Sequence, residues 1–174
     1  DNVYIPNGAV LLNEKPLPTK KIVSYVGRVE KYKGVDVLVR AIPNIIKNYP
    51  EIEFFIVGDG SYKKTLEKMI LDLNISKNVK LLGHLSRDQV KKVYEDSLII
   101  VIPSIWPEAF GKVGIEAMSV GRPIIATNVG GVSDWLIDGK TGYLIEPNNP
   151  KEISDKVSKL LSRPDILEEM SVES

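Results

Sequence analysis

Residues 22–46 decide the fold. Ile22-Val23-Ser24-Tyr25-Val26 is an apolar, β-branched run closed by Gly27-Arg28, and Lys33-Gly34 opens a stretch of helical spacing. In that stretch, over residues 34–49, Val35, Leu38, Ile42, Ile46 and Tyr49 fall on one face, with Pro43 expected to bend it. A strand feeding directly into a helix is the first half of a βαβ unit.

The same alternation continues to both sides of this unit. Further strands are predicted at 53–58, 79–82, 98–102, 123–127 and 143–145. Several are continuous in Val, Ile and Leu rather than alternating, as expected of strands covered on both faces. Helices are predicted over 61–73, from Ser86 with Gln89 in capping-box spacing, over about 111–120, and from Asn149 with Pro150 at its first position. A further helical piece follows Pro164. Six strands joined by helices imply right-handed crossovers and a doubly wound, Rossmann-like parallel sheet. Such sheets bind ligands beyond the carboxyl ends of their strands.

Composition narrows the function. The 174 residues carry 23 Lys and Arg against 23 Asp and Glu, a net charge of zero that speaks against a strongly basic nucleic-acid binder. No cysteine is present, so disulfides, thiolate nucleophiles and Cys-ligated zinc are excluded. His84 is the one histidine. The longest apolar run, 98–102, falls far short of the roughly 20 residues of a spanning helix. With no signal-peptide pattern, the expectation is a cytoplasmic or cytoplasm-facing chain. Residues 1–20, rich in Pro, Asn and Gly, are the candidate linker.

The candidate chemistry gathers past the strand ends. Arg28 and Lys33 follow the first strand, where an anion would sit. Arg offers a planar fork to phosphate oxygens and Lys a point charge, while Gly27 lets the backbone approach. Gly58-Asp59-Gly60 is a fragment of a dinucleotide fingerprint whose third glycine is replaced by Lys63; a tight turn capped by Ser61 explains it as well. His84, after Gly83, is a bystander or a contact to a base or ribose. The densest stretch runs from Pro103 to Met118. Glu108 and Glu116 stand eight apart among small and apolar residues, where a carboxylate needs hydrogen-bond partners such as sugar or ribose hydroxyls. The backbone N–H groups from Phe110 to Val113 mark a helix start able to hold an anion.

The block Pro103-Ser104, Glu108, Phe110-Gly111, Glu116-Ala117-Met118, Gly121, Pro123 and Ala126 strongly resembles the retaining glycosyltransferases of family 4. Gly27-Arg28, Lys33-Gly34, Val57-Gly58-Asp59-Gly60, Gly83, Gly130-Gly131 and the opening Ile5-Pro6-Asn7-Gly8 extend the resemblance over nearly the whole chain. It implies a two-domain GT-B enzyme of which this chain is the carboxyl-terminal, donor-binding half. Residues 21–174 would bind a nucleotide-diphosphate sugar, 1–20 would form the interdomain linker region, and the amino-terminal acceptor domain would lie outside this sequence.

Under that resemblance Arg28, Lys33 and Glu108 are the candidate catalytic residues, with the role of Glu108 as a nucleophile left open. Donor binding adds Gly27, His84, Leu85, Ala109, Phe110, Gly111, Lys112, Val113 and Glu116. Arg28 and Lys33 would meet the diphosphate and Glu116 the ribose hydroxyls. Glu108 and the 110–113 backbone would hold the sugar and phosphate, with the base near His84 and Leu85. No Asp-x-Asp motif occurs, and the family is generally independent of a metal at the diphosphate, so neither cofactor nor metal is expected. This half alone is expected to bind donor and turn over poorly or not at all. A peripheral place at the cytoplasmic membrane face stays open for the full-length enzyme. Two alternatives also stay open: a non-catalytic nucleotide-sugar binding module, and a sugar-nucleotide epimerase of the same architecture.

Overall fold

The computed structural model of the protein describes residues 12–107 and 111–173. Six strands, β1 (Ile22–Val26), β2 (Glu53–Val57), β3 (Val79–Gly83), β4 (Ile99–Ile102), β5 (Ile124–Thr127) and β6 (Gly142–Ile145), form one sheet in the order 3-2-1-4-5-6. Every pairing is parallel. Helices α1 (Val35–Ile46), α2 (Lys63–Asp72), α3 (Arg87–Asp96), α4 (Lys112–Met118), α5 (Pro150–Ser162) and α6 (Pro164–Glu173) cross between and beyond them. The expected Rossmann-like fold is the observed one. The chain runs outward one way from β1 through β2 to β3 and the other way from β4, so β1 and β4 flank a crevice at their carboxyl ends.

The pleat sorts the central strands into two cores. Ile99 and Val101 of β4 and Ile125 of β5 join the layer under α1, α2, α5 and α6. Ile100, Ile102, Ile124 and Ala126 join the layer under α3 and α4. Strands buried on both faces have no polar side to show, which is why they read as continuous apolar runs.

Several expectations need correction. α1 passes through Pro43 and ends at Ile46, so Tyr49 lies beyond it, and Ile45 rather than Ile46 is fully buried. Its core face is broad, including Val37, Val39 and Ala41, because the helix is packed from several sides. Ser61 does not cap α2, whose N-cap is Tyr62. Instead its amide and hydroxyl both donate to the Glu30 carboxylate (3.0 and 2.6 Å). By contrast, the Ser86–Gln89 capping box and the Asn149 cap on Glu152 N–H form as expected. Glu108, Ala109, Phe110 and the Ile5–Gly8 segment lie outside the described residues.

Residues 12–17 form a strap whose Leu12 packs on the second core layer and whose Leu17 packs on the first. Leu12 N–H donates to the Ser119 hydroxyl and Lys15 N–H to the Val120 carbonyl. The clasp is Arg122, fully buried. It donates to the carbonyls of Lys15, Pro16, Tyr94, Glu95 and Gly121 at 3.0–3.2 Å. A buried charge persists only when its donors are satisfied, and here main-chain oxygens do that work. Burial lowers the Arg122 pKa from its ordinary value, against the opposing pull of Glu95 and Asp96.

Candidate functional site

The loops leaving β1, β2 and β3 are laced together at their carboxyl ends. Gly27 N–H donates to Val57 O, Gly58 N–H to Gly83 O, and Val29 N–H to Asp59 O. Gly58 has φ +128°, and a Cβ there would stand 1.8 Å from the Gly27 carbonyl, so only glycine admits this approach. That is the physical content of the Gly58-Asp59-Gly60 fragment. The Gly60 N–H donates to Asp59, and that bond, with Lys63 nearby, holds the Asp59 carboxyl below its usual range.

Arg28 is exposed at the end of this lacing. Its carbonyl accepts a 2.6 Å bond from the Tyr25 hydroxyl, which fixes the turn. The following 3-10 turn, Lys31–Lys33, sets the Tyr32 ring 5.5 Å from the Arg28 guanidinium and 5.7 Å from the Lys33 ammonium. Both of the predicted cations therefore lie within cation–π reach of one ring. The turn is tied to the loop leaving β4, since Ile105 N–H donates to Tyr32 O at 3.0 Å. Gly34, at φ +67°, closes the turn with its Cα against Pro103; a Cβ would lie 1.8 Å from the Pro103 oxygen.

Glu116 sits half-buried on α4, and its carboxylate accepts a 3.3 Å bond from the Tyr94 hydroxyl of α3. Burial, then the charge of Glu116 and the hydrogen bond to it, push the Tyr94 pKa well up, so the phenol stays a donor. Tyr94, absent from the sequence reading, left one trace: it is the apolar-face residue of α3 that carries a hydroxyl. Gly111 is the N-cap of α4, and the N–H groups of Gly114 and Ile115 turn back to its carbonyl. Trp135 packs on this end. A Cβ at Gly114 would meet the indole at 2.2 Å and one at Gly111 at 2.8 Å. The Trp135 Nε1 is buried with no hydrogen-bond partner among the described residues. Lys112 is exposed and Val113 half-buried.

Three hollows follow one another along the crevice. The first, about 560 Å³, is lined by Arg28, Tyr32, Lys33, Trp106 and Pro107. Arg28 also borders the second, about 250 Å³, where Gly27, Asp59, His84 and Leu85 meet. Val90 joins that to a third, about 300 Å³, lined by Glu116, Tyr94, Leu12 and Arg87. The structure thus brings Gly27, Arg28, Lys33, His84, Leu85 and Glu116 to one rim. Among the described residues no cluster of three or more acidic or histidine side chains gathers as a metal site, and no helix is long and apolar enough to cross a membrane.

A sequence profile described as "Glycosyl transferases group 1" matches residues 12–173. The chain belongs to this family. Among relatives of this group 1 chain, an uncharacterised glycosyltransferase of Methanocaldococcus jannaschii is 36% identical over 142 residues, covering 82% of the chain and 38% of the relative. The poly(ribitol-phosphate) alpha-N-acetylglucosaminyltransferase of Staphylococcus aureus is 33% identical over 189 residues, covering 100% and 38%. The chain therefore spans well under half the length of the curated relatives it matches. A crystal structure of an S. aureus TarM variant, solved with fondaparinux, alpha-GlcNAc-glycerol and UDP, superposes with TM-score 0.86 at 32% identity, covering 98% of this chain and 34% of that one. The group 1 fold recurs in Anabaena HepE, solved with UDP, at TM-score 0.82 and 24% identity.

Proposed function

We propose that this chain is the donor-binding part of a retaining, family 4 type glycosyltransferase, holding a nucleotide-diphosphate sugar for transfer to an acceptor. The observation that carries the reading is the shared rim. Two cations beside Tyr32 and a carboxylate held by Tyr94 stand at opposite ends of one crevice, at the point where the strand order reverses. Arg28 and Lys33 take the diphosphate, and Glu116 accepts from the ribose hydroxyls. His84 and Leu85 border the base. Glu108 and the backbone around Gly111–Val113 complete the sugar and phosphate contacts.

The chemistry follows from charge. Departure of the nucleotide places negative charge on the diphosphate and positive character on the sugar, and fixed cations stabilise the former without reorganisation. No metal is needed in this scheme. Residues 1–20 serve as the interdomain linker region, and an amino-terminal domain supplies the acceptor site, so the chain alone binds donor without efficient turnover. Its setting is the cytoplasm or the cytoplasmic face of a membrane. The relatives' ligands support the reading, since UDP was bound in solved structures of this fold.

The test is calorimetric titration of the chain with UDP, GDP and ADP and their glucose conjugates. One nucleotide should bind, and Glu116→Ala should weaken it by about 1–3 kcal/mol through the lost carboxylate contacts. Unchanged affinity in the variant sinks the ribose role. A nucleotide-sugar epimerase would isomerise its donor with no acceptor present, which chromatography of the incubated donor resolves.

A further inference from the structure

Ser119 caps the end of α4, three residues past Glu116, and its hydroxyl is used twice. It donates to the Glu116 carbonyl at 2.7 Å and accepts from the Leu12 N–H at 2.8 Å. The first bond fills a gap in the helix. Val120 N–H, the usual donor to the Glu116 carbonyl by helical spacing, goes to the Ala117 carbonyl instead (3.1 Å). A serine bonded back to its own last turn is a common local device. The second bond is not local, because Leu12 lies 107 positions away on the strap of residues 12–17. The two bonds reinforce each other, since a hydroxyl that accepts is polarised and donates more strongly.

We propose that Ser119 is a positioning residue that couples the seating of the strap to the ligand-binding posture of Glu116. Glu116 is held at both ends from one segment of chain. Its carbonyl is tied through Ser119 to Leu12. Its carboxylate accepts from the Tyr94 hydroxyl, and the Tyr94 carbonyl accepts from Arg122 Nε at 3.0 Å. The same guanidinium donates to the Lys15 and Pro16 carbonyls of the strap. Leu12 also lines the hollow of about 300 Å³ that it shares with Glu116 and Tyr94. Lifting the strap therefore loosens the main chain that carries Glu116, opens one wall of its hollow and releases a tie on Tyr94. Residues 12–17 fall within the proposed linker region, so a displacement of that linker is registered as a change in nucleotide affinity. The effect is reciprocal by linkage: nucleotide held by Glu116 tightens the strap. The coupling rests on the reading of Glu116 as the ribose contact.

Calorimetry with UDP, GDP and ADP tests the coupling on the chain, on its Ser119→Ala, Ser119→Thr and Glu116→Ala variants, and on the Ser119→Ala, Glu116→Ala double variant. Ser119 is half-buried and belongs to neither core layer, so alanine removes one hydroxyl and leaves both layers packed. Ser119→Ala should weaken the bound nucleotide by about fivefold or more, and threonine, which keeps the hydroxyl, should restore most of the loss. In the Glu116→Ala background the Ser119 substitution should have no further effect, because Ser119 acts through Glu116, whereas a merely structural loss would add. Hydrogen exchange at the Leu12 amide should slow when nucleotide saturates the unsubstituted chain, and should not slow in Ser119→Ala. Unchanged affinity in Ser119→Ala, or a loss of equal size in both backgrounds, overturns the coupling and leaves the ribose reading standing. No nucleotide binding, or binding that Glu116→Ala leaves unchanged, overturns the ribose reading and the coupling with it.

Discussion

The Tyr94 hydroxyl donates to the Glu116 carboxylate across 3.3 Å, from the last turns of α3 to the middle of α4. This bond orients the carboxylate before any ligand arrives, and it depends on the phenol keeping its proton. The Tyr94 pKa is raised by burial first, then by Glu116. A raised folded-state pKa gives stability that is full below the unfolded tyrosine value, near about 10, and is lost as pH rises beyond it. Urea unfolding of the protein should therefore show an alkaline loss of stability that Tyr94→Phe lacks. A loss of equal size in the variant assigns it to other groups.

Arg28 and Lys33 share the Tyr32 ring but not a partner chemistry with Glu116. Arg28→Ala and Lys33→Ala should each weaken nucleoside diphosphate binding by about 1.5–3 kcal/mol and leave the nucleoside nearly unaffected. Calorimetry with both ligands measures the difference. Equal weakening of the two would contradict the phosphate role.

Donor binding should survive EDTA. On the proposed reading, the two cations and backbone donors would supply the charge compensation that a divalent ion gives elsewhere. Titrations with and without EDTA and magnesium test this, and a strict magnesium requirement would refute it.

Arg122→Ala strips five carbonyls of one shared donor, and Arg122→Lys offers them a single point charge in place of a planar fork. Each buried carbonyl left unpaired is costly. The alanine variant should lose about 3 kcal/mol or more, and lysine should recover only part. Hydrogen exchange should accelerate at Leu12 and Lys15 first, because their N–H bonds depend on the strap staying in place.

The sheet was legible because its strands are short, mostly apolar runs, closed by Gly27, Gly58 and Gly83 after the first three and by Pro103 after the fourth, a pattern set by burial on both faces. The rim cations were legible for a related reason: a charge directly after such a run has only the strand's carboxyl end to occupy. What escaped was long-range. Tyr94 looked like one more residue on the inward face of α3, and nothing local reveals that its hydroxyl meets a carboxylate 22 positions later. Arg122 gave a signal, a lone cation inside Val120-Gly121-Arg122-Pro123-Ile124, but its carbonyl partners belong to three separate segments. Ser61 matched a capping pattern and was claimed by Glu30, 31 positions earlier, because the loops after β1 and β2 are pressed together. Local chemistry predicts a partner's type, while topology decides which partner is near.

The bond from Ile105 to Tyr32 and the contact of Gly34 with Pro103 join the loop after β1 to the loop after β4 through main-chain atoms alone. The distance between the Lys31–Lys33 turn and the start of the loop after β4 is therefore set by the backbone. Neither contact uses a side-chain atom, so most substitutions along either loop leave both in place. The relative placement of the two loops therefore tolerates side-chain change at most positions and refuses it at Gly34, where a Cβ has no room.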